Sequence, residues 1–316
     1  MRVIAGSEAD QTRFEDAVVT IGNFDGVHIG HVAILGTVVE RARALGAEAV
    51  ALTFDPHPRK VLQPDAAPAL LTTLEQKLEL FERAGLDAVV LERFTLDFSR
   101  TPPEVFIRER LHERLRPLEV YVGYDFHFGH DRLGSMRLLT EKGPQLGFAV
   151  TIIPEVRVGT GDVNSSRIRE RLAEGAIEDV SVMLGRAYSV RGRVVEGDRR
   201  GREIGFATAN LASENELLPA AGVYAGDLTL LDPGSPDAGE RLSVVTNVGH
   251  RPTFPSATGL LAEAHAIDWE GDLYGRRVEI SFRRRLREER KFDGIDALRA
   301  QIAADVDEAR RLLISD

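Results

Sequence analysis

The chain has no cysteine, and that absence removes disulfides, thiolate metal sites and cysteine nucleophiles together. It suits a reducing compartment, so a cytoplasmic location is expected. No run approaches the ~20 apolar residues of a membrane span. The opening M-R-V-I-A-G-S-E-A-D is too polar for a signal peptide, and none is expected. A Walker A string is also missing, which excludes a P-loop ATPase. G-T-G-D-V-N (159–164) misses the third glycine of the dinucleotide fingerprint and reads as a loop. Excess positive charge is lacking too: 40 Lys and Arg stand against 50 Asp and Glu, a net charge of −10. Broad binding to nucleic acid or membranes through bulk electrostatics is therefore not expected, and an anionic substrate needs a local device.

What remains is an ordinary globular composition, 43% hydrophobic and 28% charged, over 316 residues. That length has room for two domains of roughly 100–200 residues each. The first half alternates strand-like and helix-like stretches. Strands are predicted at Ala17–Ile21, Glu48–Phe54, Asp87–Leu91, Leu118–Val122 and Phe148–Ile153. Helices are predicted at Val32–Leu45, Thr72–Ala84 and Pro103–Leu115. The second helix opens on T-T-L-E, a capping box of Thr72 and Glu75. Such alternation implies a parallel sheet covered on both faces.

After about residue 184 the pattern becomes short alternating runs, Tyr188–Val195, Gly222–Leu230, Leu242–Asn247, Ala262–Ile267 and Val278–Phe282, with a hairpin loop at 230–240. These imply an antiparallel sheet or small barrel. A closing helix carries Ile295, Leu298, Ile302, Val306, Ala309 and Leu313 at steps of three and four. The expected domains are 1–183 and 184–316. The Arg-rich run 276–291 reads as a strand and turn balanced by nearby acids rather than a nucleic-acid patch.

G-N-F-D-G-V-H-I-G-H (22–31) falls where the first strand gives way to a helix. Ligands bind at such strand ends in open α/β sheets, and a helix N-terminus favours phosphate. Gly26 and Gly30 would let the backbone come close, while His28 and His31 would donate to phosphate oxygens. The spacing alone leaves turn residues or a metal pair as equal readings. H-I-G-H nevertheless resembles the H-x-G-H signature of nucleotidylyltransferases. The longer string is similar to that of bacterial bifunctional riboflavin kinase/FAD synthetases. F-D-P-H-P (54–58), G-Y-D-F-H-F-G (123–129) and S-S-R-I-R (165–169) follow in that family's order.

The resemblance implies a Rossmann-like domain that adenylylates FMN. Gly22, Asn23, Phe24, Gly30, Ser165 and Ser166 would bind ATP phosphates, with His28, His31 and Arg169 catalytic. Asp55, His57, Pro58 and Asp125 would lie by the flavin. Four features depart from the family pattern: Asn164 for Ser, Ser166 for Thr, Tyr124 for a smaller or acidic residue, and H-D-R-L-G-S (130–135) where the loop usually ends in an acid.

In the second half, glycines 197, 201 and 205 space a loop able to cradle phosphates, ahead of G-F-A-T-A-N (205–210). Thr208 and Asn210, two apart, would share one face of a strand and offer two oxygens to a hard cation. A Gly-rich hairpin with turn residues fits those spacings as well. The run resembles the riboflavin kinase signature G-F-P-T-A-N, with Ala207 in place of proline. L-P-A-A-G-V-Y-A, N-V-G-H-R-P-T-F and G-D-L-Y-G follow in the family's order.

This implies a β-barrel kinase using ATP and Mg²⁺, with Thr208 and Asn210 as metal ligands and Glu263 of A-E-A-H as the base for the ribityl hydroxyl. The expected partners are therefore riboflavin, FMN and ATP, and no oligomeric state is implied. Two other readings remain open: an FAD synthetase whose kinase half has decayed at Ala207, and a flavin-binding sensor that consumes no ATP.

Overall fold

A computed structural model describes residues 1–6, 11–159, 161–196, 206, 208–250 and 260–314. By its internal contacts the chain forms two compact units. The first comprises 1–68 and 74–163, the second 69–73 and 164–316.

The first unit is built on β1 (Arg2–Ala5), β2 (Ala17–Ile21), β3 (Glu48–Asp55), β4 (Ala88–Arg93), β5 (Pro117–Gly123) and β6 (Ala149–Ile153). These pair in the order β1-β4-β3-β2-β5-β6, every pair parallel. β2 reads A-V-V-T-I and is buried on both faces, as a central parallel strand must be. Successive residues take opposite faces. Val19, Val50, Val90 and Val120 pack with the helical stretch 103–115 and with Leu139. Val18, Ala51 and Val89 pack under Leu35 and Val38 of α1 (Ile29–Leu45) and Phe81 of α2 (Leu74–Arg83). Leu139 belongs to α3 (Met136–Gln145).

Three boundaries differ from the sequence reading. The helix α1 starts at Ile29, not Val32, because the His28 side chain caps it and draws Gly30 and His31 into its first turn. The helix α2 starts at Leu74, so the residue ahead of it is Thr73 rather than Thr72. Within 103–115, the stretch Phe106–His112 is wound as a π-helix, which the apolar spacing does not signal.

A small two-stranded ladder, β7 (Arg157–Val158) with β8 (Gly161–Asp162), completes this unit. The second unit opens with α4 (Ser165–Glu174) and α5 (Ile177–Leu184) and closes with α6 (Ile295–Ile314). Between them lie β9 (Tyr188–Val195), β10 (Ala209–Ser213), β11 (Gly222–Leu230), β12 (Arg241–His250), β13 (Leu260–Ala266) and β14 (Arg277–Arg287). They close into an antiparallel barrel in the order β10-β13-β12-β11-β14-β9.

Val190, Tyr224, Val244, Ala264, Ile280 and Phe282 share the inward face, all of them buried. On the outer face, Val223, Ala225 and Val245 pack under Val306 and Ala309 of α6. Ile295, read as the first core position of that helix, is 66% exposed. The Arg-rich run finds acids, as expected. Arg276 pairs with Asp232 and Asp237, Arg277 with Glu214, Arg283 with Asp227 and Arg287 with Asp305.

Candidate active sites

Strand order reverses on either side of β2: β3 and β4 run to one flank, β5 and β6 to the other. Such a switch point opens a crevice at the carboxyl ends of the strands. The motifs read from the sequence stand there. Gly22–His31 follows β2, F-D-P-H-P ends β3, and G-Y-D-F-H-F-G begins at the end of β5.

In the first motif the His28 Nδ1 accepts from the His31 backbone N–H at 3.3 Å. An imidazole nitrogen that accepts carries no proton, so the neutral form of His28 consistent with this bond carries its proton on Nε2. The His28 and His31 rings stack with centroids 3.6 Å apart and planes 18° from parallel. Gly30 is what permits this. A Cβ on it would stand 3.1 Å from His28 Nδ1, so the missing side chain also leaves room for the stacked ring. Gly26 has a φ of 79°, left-handed backbone that glycine adopts without a steric cost. Phe24 also has positive φ, 51°, and its buried ring meets His31 and Phe81 edge-on, so only its backbone faces the turn.

The second motif is local and rigid. His57 Nδ1 accepts from the Arg59 N–H at 3.2 Å and caps the short helix Pro58–Leu62, with Pro58 at its first position. Asp55 is exposed at the end of β3, and Asp125 is exposed beyond β5. Lys77 of α2, absent from the sequence reading, is buried beneath the first motif, with its Nζ 3.0 Å from the Asn23 carbonyl.

S-S-R-I-R forms the first turns of α4 and belongs by its contacts to the second unit. Asn164 caps this helix, its Oδ1 accepting from the Arg167 N–H at 2.9 Å. Asparagine and serine are equally good caps, so this departure from the family pattern keeps the helix start. Ser166 is exposed, and Arg169 Nε donates to the Ala69 carbonyl at 2.7 Å.

In the barrel, Asn210 of β10 stands directly opposite Glu263 of β13, which stands opposite Asn247 of β12. Register partners share a face, so these polar side chains form one row on the outside of the barrel. Thr208 lies just before β10 and is half-buried. Asn210 is only 5% exposed, and among the described residues its buried Oδ1 has no hydrogen-bond partner. Asn247 was not assigned from the sequence, although N-V-G-H had been noticed; only the register shows its alignment with Glu263. Gly197, Gly201, Gly205 and Ala207 lie outside the described residues. Among the described residues, no cluster of three or more His, Cys, Asp or Glu is arranged to hold a metal.

The FAD synthetase family profile matches residues 10–167, and the riboflavin kinase profile matches residues 184–313. The bifunctional riboflavin kinase/FMN adenylyltransferase of Escherichia coli K12 is 37% identical over 96% of each chain. Those of Haemophilus influenzae and Bacillus subtilis are each 34% identical, over 98% of both chains and over 93% and 92% respectively. The chain belongs to the bifunctional riboflavin kinase/FMN adenylyltransferase family.

A crystal structure described as a macrolide-efflux protein from Streptococcus pneumoniae superposes with a TM-score of 0.84 over 94% of both chains, at 28% identity. Its likeness places this family's pairing of parallel sheet and barrel in a solved structure. No described helix here is long and apolar enough to cross a membrane.

Proposed function

We propose that the barrel phosphorylates riboflavin with ATP to give FMN and ADP. The first domain then joins FMN to the AMP of a second ATP, giving FAD and pyrophosphate. The functional boundary is taken at 183/184. The observation that carries this reading is the gathering of three family motifs at the carboxyl ends of β2, β3 and β5, around the switch point of the sheet.

FMN phosphate is anionic at pH 7 and needs no base to attack the α-phosphorus of ATP. What must be supplied is alignment of two repelling anions and charge stabilisation. His28 and His31, at the N-terminus of α1, donate to the phosphate oxygens, aided by the open backbone of Gly22, Asn23, Phe24 and Gly30. Asp55, His57, Pro58 and Asp125 are assigned to the flavin side. Ser165, Ser166 and Arg169 are assigned as further ATP-binding groups.

The kinase step differs because an alcohol is a poor nucleophile. Glu263 accepts the proton of the ribityl hydroxyl as the oxygen attacks the γ-phosphorus. Mg²⁺ fits the donors present, and Thr208 and Asn210 would hold it: one offers a hydroxyl, the other a buried amide oxygen that has no hydrogen-bond partner among the described residues, both hard oxygens. When bound, the ion neutralises the phosphates. Gly197, Gly201 and Gly205 are assigned to the phosphate loop. Both family profiles are matched, so an FAD synthetase without a kinase is not favoured.

The test is separation of the activities. His31→Ala is expected to stop synthesis at FMN. Glu263→Gln is expected to yield no FMN from riboflavin yet still make FAD from supplied FMN. A folded variant that loses both activities equally contradicts the assignment.

A further inference from the structure

Lys77 is 7% exposed, and burial pushes its ammonium pKa down. A buried ammonium is destabilising unless oppositely charged or strongly accepting groups compensate it. Among the described residues, the groups facing it come from the first motif and from the end of β3. Its Nζ donates to the Asn23 carbonyl at 3.0 Å, an oxygen that Thr53 Oγ1 also approaches at 3.4 Å. Asp25, 3% exposed, and Asp55 act on it electrostatically and favour its charged form.

One turn further along the same face of α2, Phe81 packs edge-on against Phe24 with centroids 5.3 Å apart. The helix therefore grips two consecutive residues of the turn. That grip falls where the backbone is least comfortable, with Phe24 at φ 51° and the β-branched Val27 at φ 39°. Such residues are strained and persist only where the surroundings over-determine them.

We propose that Lys77 is a positioning residue for adenylyl transfer: it clamps the Asn23 carbonyl and cancels the charge of Asp25 and Asp55, so that the turn can receive two anionic substrates. This rests on the reading of that turn as the adenylylation site.

The test uses the full chain, ATP, Mg²⁺ and FMN, with riboflavin phosphorylation measured on the same samples. Lys77→Met keeps the length of the side chain and removes its charge. It is expected to melt above the assay temperature and to leave riboflavin phosphorylation unchanged. Both KM(FMN) and KM(ATP) for FAD synthesis are expected to rise by about tenfold, the size of one charge-assisted hydrogen bond. Lys77→Arg, which keeps the charge, is expected to stay near wild type in both.

A merely structural lysine would reduce the amount of active enzyme and leave both KM values unmoved, and that result overturns the proposal. If Lys77→Met does not fold, Lys77→Arg decides. Unchanged KM values support the inference, and a tenfold rise in a folded protein overturns it. His31→Ala is run in parallel. Survival of FAD synthesis there would fault the reading of the site, whereas its loss alongside unmoved KM values in Lys77→Met would fault only the role of Lys77.

Discussion

The amide oxygen of Asn210 is the residue-scale feature with the clearest consequence. A buried acceptor without a partner costs about 1–3 kcal/mol, and among the described residues Asn210 Oδ1 has none, set between the buried apolar Ala209 and Leu211. Leucine has nearly the same shape and no such oxygen. Asn210→Leu is therefore expected to stabilise the barrel by about 1 kcal/mol, read from its urea or thermal midpoint, while abolishing riboflavin phosphorylation and sparing FAD synthesis from FMN. A variant that still phosphorylates riboflavin at the wild-type rate contradicts the ligand role.

Residues of this kind were legible when they sat in a string with chemical sense: His28, His31, Thr208 and Asn210 all did. Lys77 was not. In L-E-Q-K-L-E-L-F it reads as a solvated position of an amphipathic helix, and only the i, i+4 pairing with Phe81 hints that it shares the inward face. Asn247 needed the strand register.

Among elements, legibility followed burial. β2, β9 and β11 have the bounds the apolar patterning gave, because their packing repeats along the sequence. β10 is legible only through Thr208 and Asn210, read as sharing one face of a strand or as hairpin turn residues, because A-N-L-A-S follows a glycine-rich run and puts an asparagine in a buried place. α4 escaped because only Ile168 and Leu172 of its ten residues are buried. α3 ends in G-P-Q, which argues against a helix locally. β1, four residues at a sheet edge, is too short to show a period.

The joints between elements are polar and carry a pH dependence. Arg43 near the end of α1 makes two hydrogen bonds to Asp87, and the Ala49 N–H of β3 donates to the same carboxylate at 2.8 Å. The Arg43 hydrogen bond is the largest influence, and it holds the Asp87 carboxyl below its ordinary value. A carboxylate held low in the folded state stabilises it above the ordinary carboxylate range, and that stabilisation is lost as pH falls below it. Asp87→Asn is therefore expected to lower stability at pH 7 and to flatten the loss of stability below about pH 4 in acid unfolding followed by circular dichroism. An unchanged acid profile contradicts this role for Asp87.

At the scale of the whole molecule, composition excluded more than it identified. An acidic chain without cysteine, without a Walker string and without a membrane-length run leaves many enzymes standing. The ordered motifs narrowed these to one family, and the paired profiles over 10–167 and 184–313 agree with that order. What no sequence pattern conveyed is that three of them end strands at the carboxyl edge of the sheet, on both flanks of its switch point. The central claim is that one chain carries flavin through two successive transfers. The measurement that tests it most directly is a time course of purified protein with riboflavin, ATP and Mg²⁺, the flavins separated by chromatography. FMN appearing first and giving way to FAD is the result expected. Riboflavin left unchanged while supplied FMN is still converted to FAD would contradict the account.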